Sequence, residues 1–215
     1  MAAGRYRKLT SLTLVAVLAT GAVAAVVAFR APSGPHTLTH FDPDRIAQLE
    51  LEMWQAYYAK QRLHLFTLLV TTLREQYGYS WARAVQAGFH LARAAADFGD
   101  LRGNYDQVLP DLESAYDIAR SWTSSTFDPR RVSEAELAWW VARRTPGQSD
   151  PATVGRLIGE EYAALYTVPY DRVAKAGLLR AEAGHLRDEG GAHADWDRVH
   201  ELLIESYRAL HDTVH

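Results

Sequence analysis

Cysteine is absent from the 215 residues. That absence excludes disulfides, thiolate metal sites, iron–sulfur clusters, CxxCH haem attachment and a lipoprotein cysteine, and it leaves the redox compartment open. Lysine is scarce, with only Lys8, Lys60 and Lys175 among 23 basic residues, which reads as a compositional habit of the source. A glycine-rich phosphate loop is missing, and Ser121, Ser124, Ser125 and Ser133 sit in no nucleophile elbow. His200-Glu201 opens like HExxH, but Ile204 stands where the second histidine belongs, so no zincin pair forms. Long apolar runs are also lacking, except for one that begins at Leu9 and ends at Phe29.

That exception, residues 9–29, holds no charge and is bounded by Arg7-Lys8 and Arg30. A helix of 21 residues spans roughly 30 Å, the hydrocarbon thickness of a bilayer. The reading is a single N-terminal transmembrane helix, a signal-anchor over residues 1–30, with the basic flank holding the N-terminus in the cytoplasm. The rest of the chain then lies on the periplasmic or extracellular side. Cleavage near Ala24, after the small-x-small pattern Ala22-Val23-Ala24, is the alternative and gives a secreted protein. Residues 31–40, with two prolines and a glycine, read as a tether.

Net charge is −3, but residues 1–30 carry four bases and no acid, leaving 19 bases against 26 acids in the remainder. A domain of that sign is repelled by phosphate backbones and by anionic headgroups, so no nucleic-acid partner is expected.

The remainder repeats itself. Phe41-Asp42-Pro43-Asp44-Arg45-Ile46, running on to Glu50-Leu51-Glu52-Met53-Trp54, returns 86 residues later as Phe127-Asp128-Pro129-Arg130-Arg131-Val132, running on to Glu136-Leu137-Ala138-Trp139-Trp140. Further matches keep the same order. Tyr77 falls on Tyr166 and Ala87-Gly88 on Ala176-Gly177 at an offset of 89, and Leu112 on Leu203 and Tyr116 on Tyr207 at 91. Aspartate followed by proline opens a helix in each half, as an N-cap with proline at the first helical position. No proline or glycine interrupts residues 43–77, so one continuous first helix is expected there. Its counterpart is broken at Thr145-Pro146-Gly147. The fold class is therefore all-α: a duplicated, pseudo-twofold bundle of about seven helices over residues 41–215, in two related halves, 41–126 and 127–215. Gly88 and Gly177, each inside a helix, suggest where the halves meet.

One polar stripe on the first helix singles out candidate residues. Glu50, Tyr57 and His64 lie seven apart with Trp54 between them, and Glu136, Trp140 and Arg143 take the matching positions of Glu50, Trp54 and Tyr57. Glu50 and Glu136 approaching an interior resemble half of a di-metal carboxylate site. The chain has a single Glu-x-x-His, Glu182 to His185, whose counterparts Arg93 and Ala96 bind no metal. The reading preferred is a buried polar network in which Arg143, Tyr57 or an indole N–H satisfies the carboxylates, with no cofactor. His36 and His40 in the tether are at most adventitious ligands. Trp54, Tyr57, Tyr58, Phe66, Trp139 and Trp140 concentrate on the first helix of each half, as core or as a docking face.

The expected function is a membrane-anchored, non-catalytic interaction or accessory subunit docking on a membrane protein complex. The alternatives are a metal-dependent helical-bundle oxidoreductase using Glu50, Glu136, Glu182 and His185, and a carrier of an apolar ligand between the two halves.

Overall fold

The computed structural model describes residues 25–215. Residues 25–29 are helical, whereas most of the apolar run, with its anchor and cleavage readings, lies outside the described residues. Among the described residues no helix is long and apolar enough to cross a membrane. They are all-α, with no strand.

Eight α-helices follow in order: α1 Pro43–Tyr58, α2 Arg62–Tyr77, α3 Trp81–Asp100, α4 Leu109–Thr123, α5 Pro129–Arg144, α6 Pro151–Tyr166, α7 Tyr170–Gly190 and α8 Trp196–Val214. Short 3-10 turns at Tyr105–Val108 and Gly191–His193 lead into α4 and α8. The starts are those the aspartates dictate. Asp42 accepts the backbone N–H groups of Asp44 and Arg45 at 3.0 and 3.1 Å, and Asp128 accepts that of Arg130 at 3.0 Å. Each satisfies donors that the first helical turn leaves unpaired.

The count is eight and not seven because the expected single helix over 43–77 is two. It breaks at Lys60, which takes a left-handed φ of 59° although it is not glycine. Gln61 N–H closes the turn on the Ala56 carbonyl at 2.9 Å. The cause is burial. Residues 57–64 are all exposed, so nothing holds a continuous rod together there, and 35 residues of helix would run roughly 50 Å, well beyond a domain of this size. Folding back lets Ile46, Leu49 and Leu51 of α1 and Leu68, Val70 and Leu73 of α2 all be buried. In consequence α1 and α5 are 16 residues each, as are α2 and α6, while α3 and α7 have 20 and 21.

Each helix packs on the next in sequence, and α8 returns to α1, so the eight close into a ring. The two junctions between residues 41–126 and 127–215 are therefore α4 with α5 and α8 with α1. The helix glycines do not lie there, against expectation. Gly177 sits on α6 of its own half: a Cβ on it would meet the Gly155 carbonyl at 2.5 Å and the Gly159 nitrogen at 2.6 Å. Gly88 faces Val70, Leu73 and Phe66 of α2, with Val70 Cγ2 at 3.2 Å from the same hypothetical atom. A glycine marks a close approach, but not by which neighbour.

Residues 31–40 are also more than a spacer. Leu38 is buried in the cluster that contains Val70, Leu73, Tyr77 and Tyr79, and His36 stacks on Trp122 with ring centroids 3.8 Å apart. One leucine and one imidazole with apolar partners outweigh a composition rich in proline and glycine.

Candidate functional site

The ring encloses a network of ionisable side chains. Glu50 on α1 is 2% exposed. Its Oε1 accepts Arg180 Nη2 and Nε of α7 at 2.6 and 2.9 Å, and its Oε2 accepts the Tyr207 hydroxyl of α8 at 2.6 Å. These are charge-assisted bonds in a dry setting, the strong kind. Burial alone would lower the Arg180 pKa; the Glu50 charge and the surrounding tyrosines outweigh it and drive the guanidinium upward, so it stays charged. Arg180 also lies 5.2 Å from the Trp139 ring centroid.

Glu161 on α6 is the second carboxyl of this network. Its Oε1 accepts the Tyr116 hydroxyl of α4 at 3.2 Å and its Oε2 accepts Trp139 Nε1 of α5 at 2.6 Å. Glu136 on α5 is the third, and its buried Oε2 has no hydrogen-bond partner. Burial first, and then the neighbouring Glu161 charge, push the Glu136 carboxyl up to about 8. Burial pushes Glu161 up as well. The network is thus a Glu50–Arg180 ion pair beside a Glu136 carboxyl that burial and the Glu161 charge keep protonated at neutral pH.

The candidate residues read from the sequence are only partly brought together. Glu50 and the Glu136 carboxyl are interior, but their expected partners Arg143 and Tyr57 are elsewhere. Arg143 donates to Asp188 at 2.6 Å, beside the Tyr58 hydroxyl, which bonds the same carboxylate at 2.7 Å. Tyr57 is 59% exposed, and His64 is exposed on α2, beyond the Lys60 break that ends the supposed stripe. Trp140 packs against Phe98 at 5.2 Å between centroids, away from the carboxylates. Trp54 lines a crevice with Trp139, Arg143, Arg180, Gly184 and His185.

That crevice measures about 60 Å³. It admits a few waters, whereas organic ligands occupy roughly 300–1,000 Å³. A larger recess of about 320 Å³ lies under residues 32–35, walled by His36, His40, Arg45, Arg74 and Glu75, not between the two halves. Among the described residues no three histidine, aspartate or glutamate side chains are gathered as metal ligands. Glu50 is already taken by a guanidinium, Glu182 is half-buried on α7, and His185 faces Glu189 at 3.1 Å.

The partners that sequence reasoning missed are Arg180 and Glu161, while Trp139 was named only among the aromatics and supplies its indole N–H to Glu161. Trp139 adjoins the repeated Trp140 but has Met53 as its counterpart. Arg180 and Glu161 stand where the first half has Leu91 and Thr72, at the offset of 89, so the repeat gave no hint of them. Only Tyr116 and Tyr207, alike at the offset of 91, carried a usable signal. No known protein family, curated protein or solved structure matches this chain.

Proposed function

We propose that the protein is a membrane-tethered, non-catalytic helical subunit that docks on a membrane protein complex, with residues 9–29 as the anchor and residues 41–126 and 127–215 as two copies of one four-helix unit. The basic flank Arg7-Lys8 favours a cytoplasmic N-terminus, and with it a domain on the periplasmic or extracellular face. One observation supports the non-catalytic part: Glu50 and Glu161 are engaged with Arg180, tyrosines and an indole, and Glu136, whose Oε2 has no partner, does not line the neighbouring crevice of about 60 Å³. Such a cluster holds helices together and has no room for a substrate beside it. The membrane part draws on the apolar run, whose last residues Val26, Val27 and Phe29 are exposed and need a cover. The matched helix lengths and the equivalent Glu50 and Glu136 support the copies.

Co-purification of the full chain from gently solubilised native membranes tests this. A defined larger assembly is expected. A solitary monomer under every detergent condition counts against the subunit reading, and a chain that stays with the soluble fraction after lysis counts against the anchor.

A further inference from the structure

We propose that His40, His211 and His215 bind a divalent transition-metal ion of the zinc class, which clasps the end of α8 to the segment leading into α1. The site is separate from the interior carboxyls and goes beyond the membrane reading, on which it does not depend.

Two of the ligands come from one helix. His211 lies in the last turn of α8, and the His215 backbone N–H donates to the His211 carbonyl at 2.9 Å. That bond keeps the residues in i, i+4 register, which sets both side chains on one helix face. Their rings are 4.8 Å apart between centroids. Metal–nitrogen bonds of about 2.0–2.1 Å put two imidazoles on a tetrahedral ion roughly 5 Å apart, centre to centre. Histidines at this spacing are the chelating pair of helical zinc sites. Phe41 meets the His211 ring edge-on, 5.4 Å between centroids, and so fixes where that ring stands.

The third ligand comes from across the junction. His40, an adventitious ligand at most on the sequence alone, stands 6.3 Å from His215 between ring centroids. That is roughly 1 Å too wide for a shared ion, so no set of three is preformed among the described residues, and the metal draws His40 in. His40 and His215 are both exposed, so turning their side chains disturbs no packing. Neutral imidazole suits zinc, copper and nickel, whereas magnesium and calcium take oxygen ligands. Asp212 Oδ1 stands 3.8 Å from His211 Nδ1. A carboxylate on that side favours a proton on Nδ1 and leaves the Nε2 lone pair for the ion.

Packing does not account for the three rings. At the other junction, between α4 and α5, the offsets of 86 and 91 put Thr126, Arg120 and Ser124 in the places of His40, His211 and His215. There Phe127 packs against Tyr116, 6.4 Å between centroids, and the junction closes without an imidazole.

The test uses the full-length chain in detergent, stripped with EDTA and titrated calorimetrically with Zn²⁺. One equivalent is expected to bind with a micromolar or tighter Kd. The Tm should rise by several degrees with the ion and return with EDTA, because an ion that binds only the folded chain stabilises it by mass action. The double variant His211→Ala, His215→Ala should lose that equivalent, and His40→Ala should weaken it by roughly tenfold or more. His215→Ala alone, at an exposed position, should weaken it as much and serves should loss of the His211 contact with Phe41 unsettle the fold. His64→Ala, at an exposed histidine elsewhere, should bind as the parent does. Failure to take up a stoichiometric equivalent overturns the site. So does uptake that survives the double variant or His215→Ala, which places the ion on other histidines. Affinity unchanged in His40→Ala overturns the clasp, since a pair on one helix spans no junction.

Discussion

Glu50 and Glu136 occupy the same position in the two halves and meet opposite fates. Glu50 crosses the α8–α1 junction to Arg180 and Tyr207. Glu136, at the α4–α5 junction, has Tyr116 where Glu50 has Tyr207, but Leu91 stands where Arg180 would. Without a cation the second carboxyl keeps its proton; with one the first is an ion pair. The helix pairs diverge in the same sense. α6 and α7 meet backbone to backbone through Gly155, Gly159 and Gly177, while α2 and α3 are held apart by Phe66 and Val70. Equivalent positions define the ring, and a few unequal substitutions decide where it is tight, charged or exposed.

The sharpest way to break the comparison is Arg180→Leu, which gives Glu50 the surroundings of Glu136. It leaves a buried carboxylate without its cation, so a loss of about 3–5 kcal/mol is expected at pH 7. Urea unfolding at pH 7 measures it, and Glu50→Gln in the Arg180→Leu background should recover part of the loss; no recovery would mean that Arg180 acts through packing alone.

Gly177→Ala comes next. Its methyl has two backbone atoms within 2.6 Å that cannot step aside, and about 3 kcal/mol of destabilisation is expected from forcing α6 and α7 apart. Thermal unfolding reads it as a lower Tm, and an unchanged Tm would deny the close contact.

Glu136 sharpens the comparison through pH. An acid whose pKa is raised on folding binds its proton more tightly in the native state. Its stabilising contribution is complete below the ordinary value of 4.5 and is lost as pH rises towards about 8. Stability should therefore fall between pH 5 and 8 by on the order of 2 kcal/mol, local relaxation reducing the full linkage value. Glu136→Gln should remove most of that slope. Denaturant midpoints for both proteins across the range decide it, and parallel slopes would place the titration on another group.

The smallest effect is Gly88→Ala. Its methyl meets the end of a side chain, Val70 Cγ2 at 3.2 Å, which can yield, and alanine gains up to about 1 kcal/mol over glycine in a helix. A Tm within a few degrees of the parent is expected. A loss as large as that of Gly177→Ala would erase the distinction between the halves.

The all-α class and the helix starts at Asp42 and Asp128 were legible because capping and proline geometry act within four residues. The Lys60 break was not, since no residue there forbids helix and only the burial of both apolar faces demands a turn. Arg180 and Glu161 look like solvated mid-helix charges, and nothing local reveals that the ring closes over them. Glu50 and Glu136 were found through their repetition, yet repetition could not foretell that one would be bonded to a guanidinium and the other left with an unpartnered oxygen.

Closure of α8 onto α1 leaves the His40 and His215 rings 6.3 Å apart between centroids. A short linker would join them, and the chain could then be cut in the loop after Thr123, between α4 and α5. Such a rearranged gene would begin at a helix that already has its own aspartate cap and proline, and it would keep every neighbour relation in the ring. The order in which the ribosome delivers the helices is thus separable from the order in which they touch.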